Sequence, residues 1–402
     1  MPQDAYTKID VDWDDKSVRV TVFDSPPRAA KFYGDQGCII LPYDANDVFF
    51  EPVELSSSLP DPMDQAWPMG DVLPSVSLPS EVDEAKLKGA VDAAFVPEAY
   101  TVAFLVVYKG QLIAERYSLG VTKDTLLESW SMGKSITATL IGVLIREGHF
   151  GIEDPAPVPE WQRQGDSRSK IRIADLLRMS SGLRFSSPGD PPHTLKQGVS
   201  DHMYVYSGAI DVFQYSINSR LEFPPNTVGR YRNCDPLTLG YIIKRAVCES
   251  GEEYLSWPQR ALFDRIGVRR QVLETDPYGN FIMSGFDYGT PRNWARLGLL
   301  YQQDGVWEGK RILPVGFAEF VGTPAPAWEE PIYGGLFWVN GRGDLKLPRD
   351  AFHMEGYGGQ SVIIDPSHEL VVVRMGHTRG GSYPVEVFNE ALLKLIDAIE
   401  NG

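Results

Sequence analysis

The chain has 402 residues, 43% hydrophobic and 23% charged, an ordinary balance for a soluble globular protein with room for one large domain or two closely packed layers. A formal net charge of −16 argues against nucleic acid or an anionic membrane surface as a partner, since both call for clustered Lys and Arg. The three cysteines, Cys38, Cys234 and Cys248, form no CxxC pair and are odd in number, so they are read as incidental thiols rather than a disulfide framework.

The acidic start MPQDAYTKIDVDWDDKS lacks the apolar core of a secretory signal, and the longest apolar helix candidate, near residues 136–145, is too short to span a bilayer. A cytoplasmic location is the expectation. Residues 17–23 alternate with the two-residue period of a half-buried strand, and CIILP from Cys38 reads as another. Residues 56–80, rich in Ser and Pro, read as an irregular connection. The expected division is an N-terminal extension over 1–84 and a main domain over 85–402. AKLKGAVDAAFV reads as a helix, and TVAFLVVY–Lys109-Gly110–QLIAERY as a hairpin with a tight glycine turn.

From Ser131 to about Phe320 the pattern is mostly helical, giving a helical subdomain over roughly 135–325. SITATLIGVLIREG places Ile136, Leu140, Val143 and Leu144 on one face and stops at Gly148; PLTLGYIIKRAV groups Leu239, Ile242, Ile243 and Ala246; Thr290 and Pro291 read as cap and first turn of another helix. Strands return at GGLFWVN, SVIID and ELVVVRM before a last helix, VFNEALLKLIDAIE. Strands, helical insertion, strands and helix predict an α+β fold: an antiparallel sheet built from both chain ends, flanked by helices, plus the mostly helical subdomain.

Three segments carry chemistry. Ser131-Met132-Gly133-Lys134 is a Ser-x-x-Lys run entering an apolar helix, where the i, i+3 spacing brings the lysine amine toward the hydroxyl and a helix N-terminus favours a developing oxyanion. Burial would lower the Lys134 pKa and leave a neutral amine to act as base. A second match, Ser167-Arg168-Ser169-Lys170, sits in a polar run and is set aside. The GKS at 133–135 is not a phosphate loop, because position 128 is Glu128 rather than glycine. Tyr231-Arg232-Asn233 lies just before a helix; a phenol beside a cationic lysine can relay protons, and the Asn233 amide can both donate and accept. A decoy, Tyr278-Gly279-Asn280, has the look of turn chemistry. In Gly356-Tyr357-Gly358-Gly359-Gln360 the glycines allow a backbone N–H to approach a substrate closely.

In their order and setting these segments resemble serine β-lactamases of the class C kind, D-Ala-D-Ala peptidases and, above all, their esterase and amidase relatives, with 6-aminohexanoate-dimer hydrolases nearest. The resemblance spans roughly residues 85–400. It implies a β-lactamase/transpeptidase-like fold and a serine hydrolase working through an acyl-enzyme on Ser131, with Lys134 and Tyr231 sharing the acid and base work. It also implies oxyanion donors at the Ser131 and Tyr357 N–H groups and substrate contacts at Asn233, Gly356 and Gly358. No cofactor or metal is implied, and the expected partner is a small ester or amide. One departure stands out: where β-lactamases carry Lys-Thr-Gly, this chain has Met354-Glu355-Gly356. A carboxylate there would repel the drug's own carboxylate, which favours ester or amide substrates over β-lactams. His353 is a candidate cleft residue, and the 183–210 loop, with His193, Asp201, His202, Tyr204 and Tyr206, a candidate pocket wall. The rival reading from another class is a silent binding protein on the same fold. The absence of G-x-S-x-G and HExxH speaks against a His-triad or metal hydrolase.

Overall fold

The computed structural model describes residues 6–74, 78–188, 190–191, 195, 198–378 and 385–400. The chain divides into two compact units: Met1–Leu55, Glu153–Trp257 and Val272–Met283 form one, and Ser56–Ile152, Pro258–Gln271 and Ser284–Gly402 the other.

The second unit is built on a six-stranded antiparallel sheet. Its order is Trp338–Val339, Phe352–Gly356, Gln360–Asp365, Leu370–Gly376, Thr101–Tyr108, Gln111–Tyr117, so both ends of the chain contribute, as the sequence pattern requires. The hairpin turns on Lys109 and Gly110, both at positive φ (47° and 79°), with Tyr108 paired to Gln111. TVAFLVVY is apolar almost throughout because this strand lies inside the sheet with both faces covered. On one face the helices Glu84–Ala94 and Val385–Glu400 pack against Phe104, Val106, Ile363, Leu370 and Val372. On the other lies Pro291–Gln302, capped by Thr290, whose Oγ1 accepts from the Asn293 N–H at 3.1 Å. Gly298 lets this helix approach the sheet, since a Cβ there would lie 2.6 Å from Val371.

The helix Gly133–Glu147 ends where expected, at Gly148 in the left-handed conformation (φ 85°). Its surroundings differ from expectation: every residue from Gly133 to Leu144 is buried, not one face alone. Each of its fully buried Leu, Ile and Val side chains contributes roughly 1.5–3 kcal/mol relative to exposure.

The first unit holds a four-stranded antiparallel sheet, Thr7–Asp12, Ser17–Val22, Arg28–Phe32 and Cys38–Ile40, of which the second and fourth strands were legible in the sequence. It also contains the helix Cys234–Glu249, which packs closely on Val212–Ile217; a Cβ at Gly240 would meet Phe213 at 2.7 Å. Two readings need correction. The stretch from Ser131 to Phe320 is less helical than expected, its shorter helices being separated by irregular chain. GGLFWVN forms a strand only at Trp338–Val339; Gly334 instead approaches the Val321 carbonyl so closely that a Cβ would lie 1.9 Å from it.

Candidate active site

Ser131 lies in the 3-10 turn Trp130–Met132 that feeds the buried helix, and its side chain keeps partial exposure. Lys134 lies in the first turn of that helix and is 1% exposed. The spacing brings the two together as expected: Lys134 Nζ lies 2.9 Å from Ser131 Oγ and donates to the Ser284 carbonyl at 2.6 Å. Burial drives the Lys134 pKa down from its ordinary 10.5 to about 7, and the charge of Asp287 opposes that fall. Near neutrality the amine therefore divides between an ammonium that donates to Ser131 and a free base whose lone pair can take the hydroxyl proton.

The turn is held in an uncommon backbone. Trp130 has φ 50° and Phe286 φ 57°, the left-handed region that aromatic residues rarely enter. Their rings meet at a tilt with centroids 5.7 Å apart, and Trp130 also meets Tyr357 at 5.7 Å. Such a conformation costs of order 1–3 kcal/mol and persists because surrounding contacts fix it.

The glycine-rich motif sits beside this turn. A Cβ on Gly356 would lie 2.0 Å from the Ser129 carbonyl, so only glycine lets the strand Phe352–Gly356 run so close to the nucleophile segment. Gly358 and Gly359 turn at φ 82° and 84°. The exposed Tyr357 ring lies between Trp130 and His377. Beneath the turn the buried Arg374 donates to the carbonyls of Gly358 (3.1 Å), Gly359 (2.7 Å) and Gly376 (3.2 Å), and to that of Ala99. Gln360 accepts from the Gly376 N–H at 3.0 Å.

Strand register corrects the reading of Glu355. His353 and Glu355 pair with Ile363 and Ser361, on the sheet face that packs Glu84–Ala94 and Val385–Glu400. Met354 and Gly356 point to the opposite face, where Gly356 meets Ser129. Met354, fully buried, thus lies on the side of the nucleophile turn, and the half-buried carboxyl of Glu355 points away from it. Its repulsion of a substrate carboxylate is not what distinguishes this site; the missing lysine cation is. His353 likewise faces away, its Nδ1 3.7 Å from Glu355 Oε2.

Tyr231 and Asn233 belong to the other unit. Asn233 precedes the helix Cys234–Glu249, and its Nδ2 donates to the His202 carbonyl at 3.0 Å. The Tyr231 ring lies 6.0 Å from that of His202, and its carbonyl accepts from Ser187 Oγ at 3.2 Å. The buried Arg232 guanidinium donates to the Leu183 and Arg230 carbonyls, and the buried Asp235 accepts from Ser181 Oγ at 2.6 Å, so the motif is pinned from within. Asp201 serves the loop itself, accepting from the Ser186 N–H at 2.8 Å and from the Tyr215 hydroxyl. Tyr204 and Tyr206 pack on neighbouring rings, and His193 lies outside the described residues. Burial, and then the neighbouring Asp235, raise the Cys234 thiol pKa and leave it unreactive.

Both decoys prove to be local structure. Asp166 caps Ser167–Lys170 and binds Arg168 at 2.6 Å, while Asp276 organises the turn at Tyr278 and Asn280. Sequence reasoning missed two groups, the Ser284 carbonyl and the Asp287 carboxyl; neither lies in a recognisable motif. Among the described residues no group of three or more His, Cys, Asp or Glu side chains is arranged to hold a metal ion, and no helix is long and apolar enough to cross a membrane.

Comparison with known proteins gives a consistent result. The family model described as Beta-lactamase matches residues 93–393. The 6-aminohexanoate-dimer hydrolase of Paenarthrobacter ureafaciens is 24% identical over 299 residues, covering 69% of this chain and 73% of that protein. Among solved structures, one from Bacillus anthracis, provisionally described as a 6-aminohexanoate-dimer hydrolase, aligns with a TM-score of 0.63 at 21% identity, covering 89% of this chain and 91% of that one. A family VIII carboxylesterase aligns with a TM-score of 0.59 at 16% identity, covering 80% and 99%. At such identities the structural likeness establishes the fold, which is β-lactamase/transpeptidase-like.

Proposed function

Because the chain belongs to the Beta-lactamase family, we propose that it is a serine hydrolase that cleaves a carboxylic ester or amide through an acyl-enzyme on Ser131. The observation that carries this reading is the buried amine of Lys134, 2.9 Å from the hydroxyl of the half-buried Ser131 and able to release its proton near pH 7. In the first step the Lys134 lone pair takes the Ser131 proton as the oxygen attacks the carbonyl carbon. The backbone N–H groups of Ser131 and Tyr357 hold the oxyanion. The proton passes to the leaving alcohol or amine, with Tyr231 sharing that transfer; the support for Tyr231 is its place in the Tyr-Arg-Asn motif. Water then repeats the sequence on the acyl-enzyme and frees the acid. Asn233, Gly356 and Gly358 are the proposed substrate contacts. Met354 in the lysine position favours neutral acyl groups over carboxylate-bearing β-lactams and D-amino-acid peptides.

A fluorophosphonate probe followed by peptide mass mapping tests the nucleophile. The expected adduct is on Ser131, absent in Ser131→Ala, with hydrolysis lost by several orders of magnitude. A Ser131→Ala protein that hydrolyses p-nitrophenyl esters at the native rate would overturn the assignment. A panel of p-nitrophenyl esters, aminohexanoate amides, D-amino-acid peptides and a chromogenic cephalosporin separates the substrate classes.

A further inference from the structure

Asp287 has no place in the mechanism above, yet it is buried against the segment that carries it. It lies in the strand Asp287–Gly289, which pairs with Leu127–Glu128, and its carbonyl accepts from the Ser129 N–H at 3.0 Å. Its carboxyl fills the space beside the first residue of the nucleophile helix: a Cβ on Gly133 would lie 2.2 Å from Asp287 Oδ1. The middle glycine of Ser131-Met132-Gly133-Lys134 is therefore required by this carboxyl. Among the described residues neither carboxylate oxygen closes a hydrogen bond of good geometry. A buried acid that makes no hydrogen bond is costly, and the cost asks for a reason.

The surrounding groups suggest one. The Ser129 and Gln271 side chains lie near enough to favour its charge. The Gln271 Oε1 is occupied by Asn293 Nδ2 at 3.3 Å. Glu128, next to it on the paired strand, opposes that charge; burial raises the Glu128 pKa, and His377 partly offsets the rise. Lys134, next in the chain to Gly133, is a cation whose charge and that of Asp287 act on each other.

We propose that the Asp287 carboxylate is the charge partner of Lys134, a positioning residue that governs how readily the Lys134 amine keeps its proton. This rests on the reading of Lys134 as the base. Burial raises Asp287 to about 7 while it lowers Lys134 to about 7, so the two titrate as a unit across neutral pH. When Asp287 is ionised it holds the ammonium; when it takes a proton the amine is released as a base. Asp287 touches no reacting atom and acts only through Lys134.

Asp287→Asn keeps the shape and removes the charge. The acid limb of kcat/KM should then move to lower pH by about one unit, as expected for loss of a neighbouring opposite charge. A merely structural role would lower the rate at every pH and leave the midpoint in place, and that outcome overturns the proposal. The pair is also read without turnover, from the 13Cε resonance of Lys134 in wild type and Asp287→Asn, assigned against Lys134→Arg. An unmoved lysine midpoint refutes the inference even if the protein proves to hydrolyse nothing, which would be a failure of the proposed function instead. Should Asp287→Asn not fold, the wild-type carboxyl spectrum decides. The Asp287 13Cγ and Lys134 13Cε signals share an inflection near pH 7 if the pair is coupled, and titrate independently if it is not.

Discussion

Replacing Lys134 by arginine keeps a cation in place and removes the base, which makes it a sharp test of what the lysine does. With a pKa of about 7, roughly half of the Lys134 side chains are neutral at pH 7. A guanidinium holds its proton so far above this range that only about one molecule in 10⁷ is neutral at the same pH. If the neutral amine is the base for acylation, the fraction of competent enzyme falls by more than a millionfold, and the measured loss is limited only by whatever base remains. We expect kcat/KM for a p-nitrophenyl ester to fall at least about 10⁴-fold, in line with the loss of a nucleophile's base elsewhere. The wild-type profile supplies the companion measurement: kcat/KM should rise about tenfold per pH unit below 7 and level off above it, since the free base is the active form. Retention of kcat/KM within tenfold of wild type in a folded Lys134→Arg protein would refute the reasoning. So would a wild-type profile flat between pH 5 and 9.

Lys134→Met should abolish hydrolysis yet stabilise the fold. Because the folded-state pKa lies below the ordinary 10.5, the unfolded chain binds the proton more readily between about 7 and 10.5, so the lysine's penalty is full below 7 and fades as pH rises. The ceiling is about 5 kcal/mol, less about 1–3 kcal/mol for the Ser284 carbonyl left without its donor; differential scanning calorimetry should show a higher Tm at pH 6 and a smaller gain at pH 9. Gly133→Ala should destabilise by about 1–3 kcal/mol despite alanine's better helix propensity, because its Cβ meets Asp287 Oδ1; urea denaturation should show partial recovery in the double variant with Asp287→Ala. Arg374→Ala removes the guanidinium that gathers three glycine carbonyls under the Tyr357 turn, and should lower kcat more than it raises KM, read from steady-state ester hydrolysis. Met354→Lys should increase turnover of a chromogenic cephalosporin relative to a neutral ester, because it supplies a cation on the Gly356 side of the strand.

What was legible in the sequence was local. The Lys109-Gly110 turn, the stop at Gly148 and the Thr290-Pro291 cap each follow from the chemistry of two or three adjacent residues. The Ser131–Lys134 pair follows from helical spacing alone. The rest of the candidate site is set by residues distant in the chain. The Ser284 carbonyl reaches Lys134 across 150 positions, and Asp287 reaches Gly133 through the pairing of two short strands whose sequences, LE and DYG, carry no periodic signal. The breadth of burial on Gly133–Glu147 also depends on what surrounds the helix rather than on its own pattern, which marks one face only.

The Met354-Glu355-Gly356 segment shows why a motif cannot be converted to electrostatics letter by letter. The string places a carboxylate among three aligned positions, and a carboxylate in a substrate-binding strand reads as repulsion. A strand, however, sends successive side chains to opposite faces, so one residue of register decides whether a charge meets the substrate or the far side of the sheet. Gly356 fixes that register: with Ser129 on its Cβ side, Met354 must share that side and Glu355 must not. The position therefore departs from the β-lactamase pattern through the loss of a cation at Met354, not the gain of an anion at Glu355. The consequence is testable in one pair of variants, for Glu355→Gln should leave the ratio of cephalosporin to ester turnover unchanged while Met354→Lys raises it; a rise with Glu355→Gln alone would place the carboxyl in contact with substrate and overturn the assignment of faces.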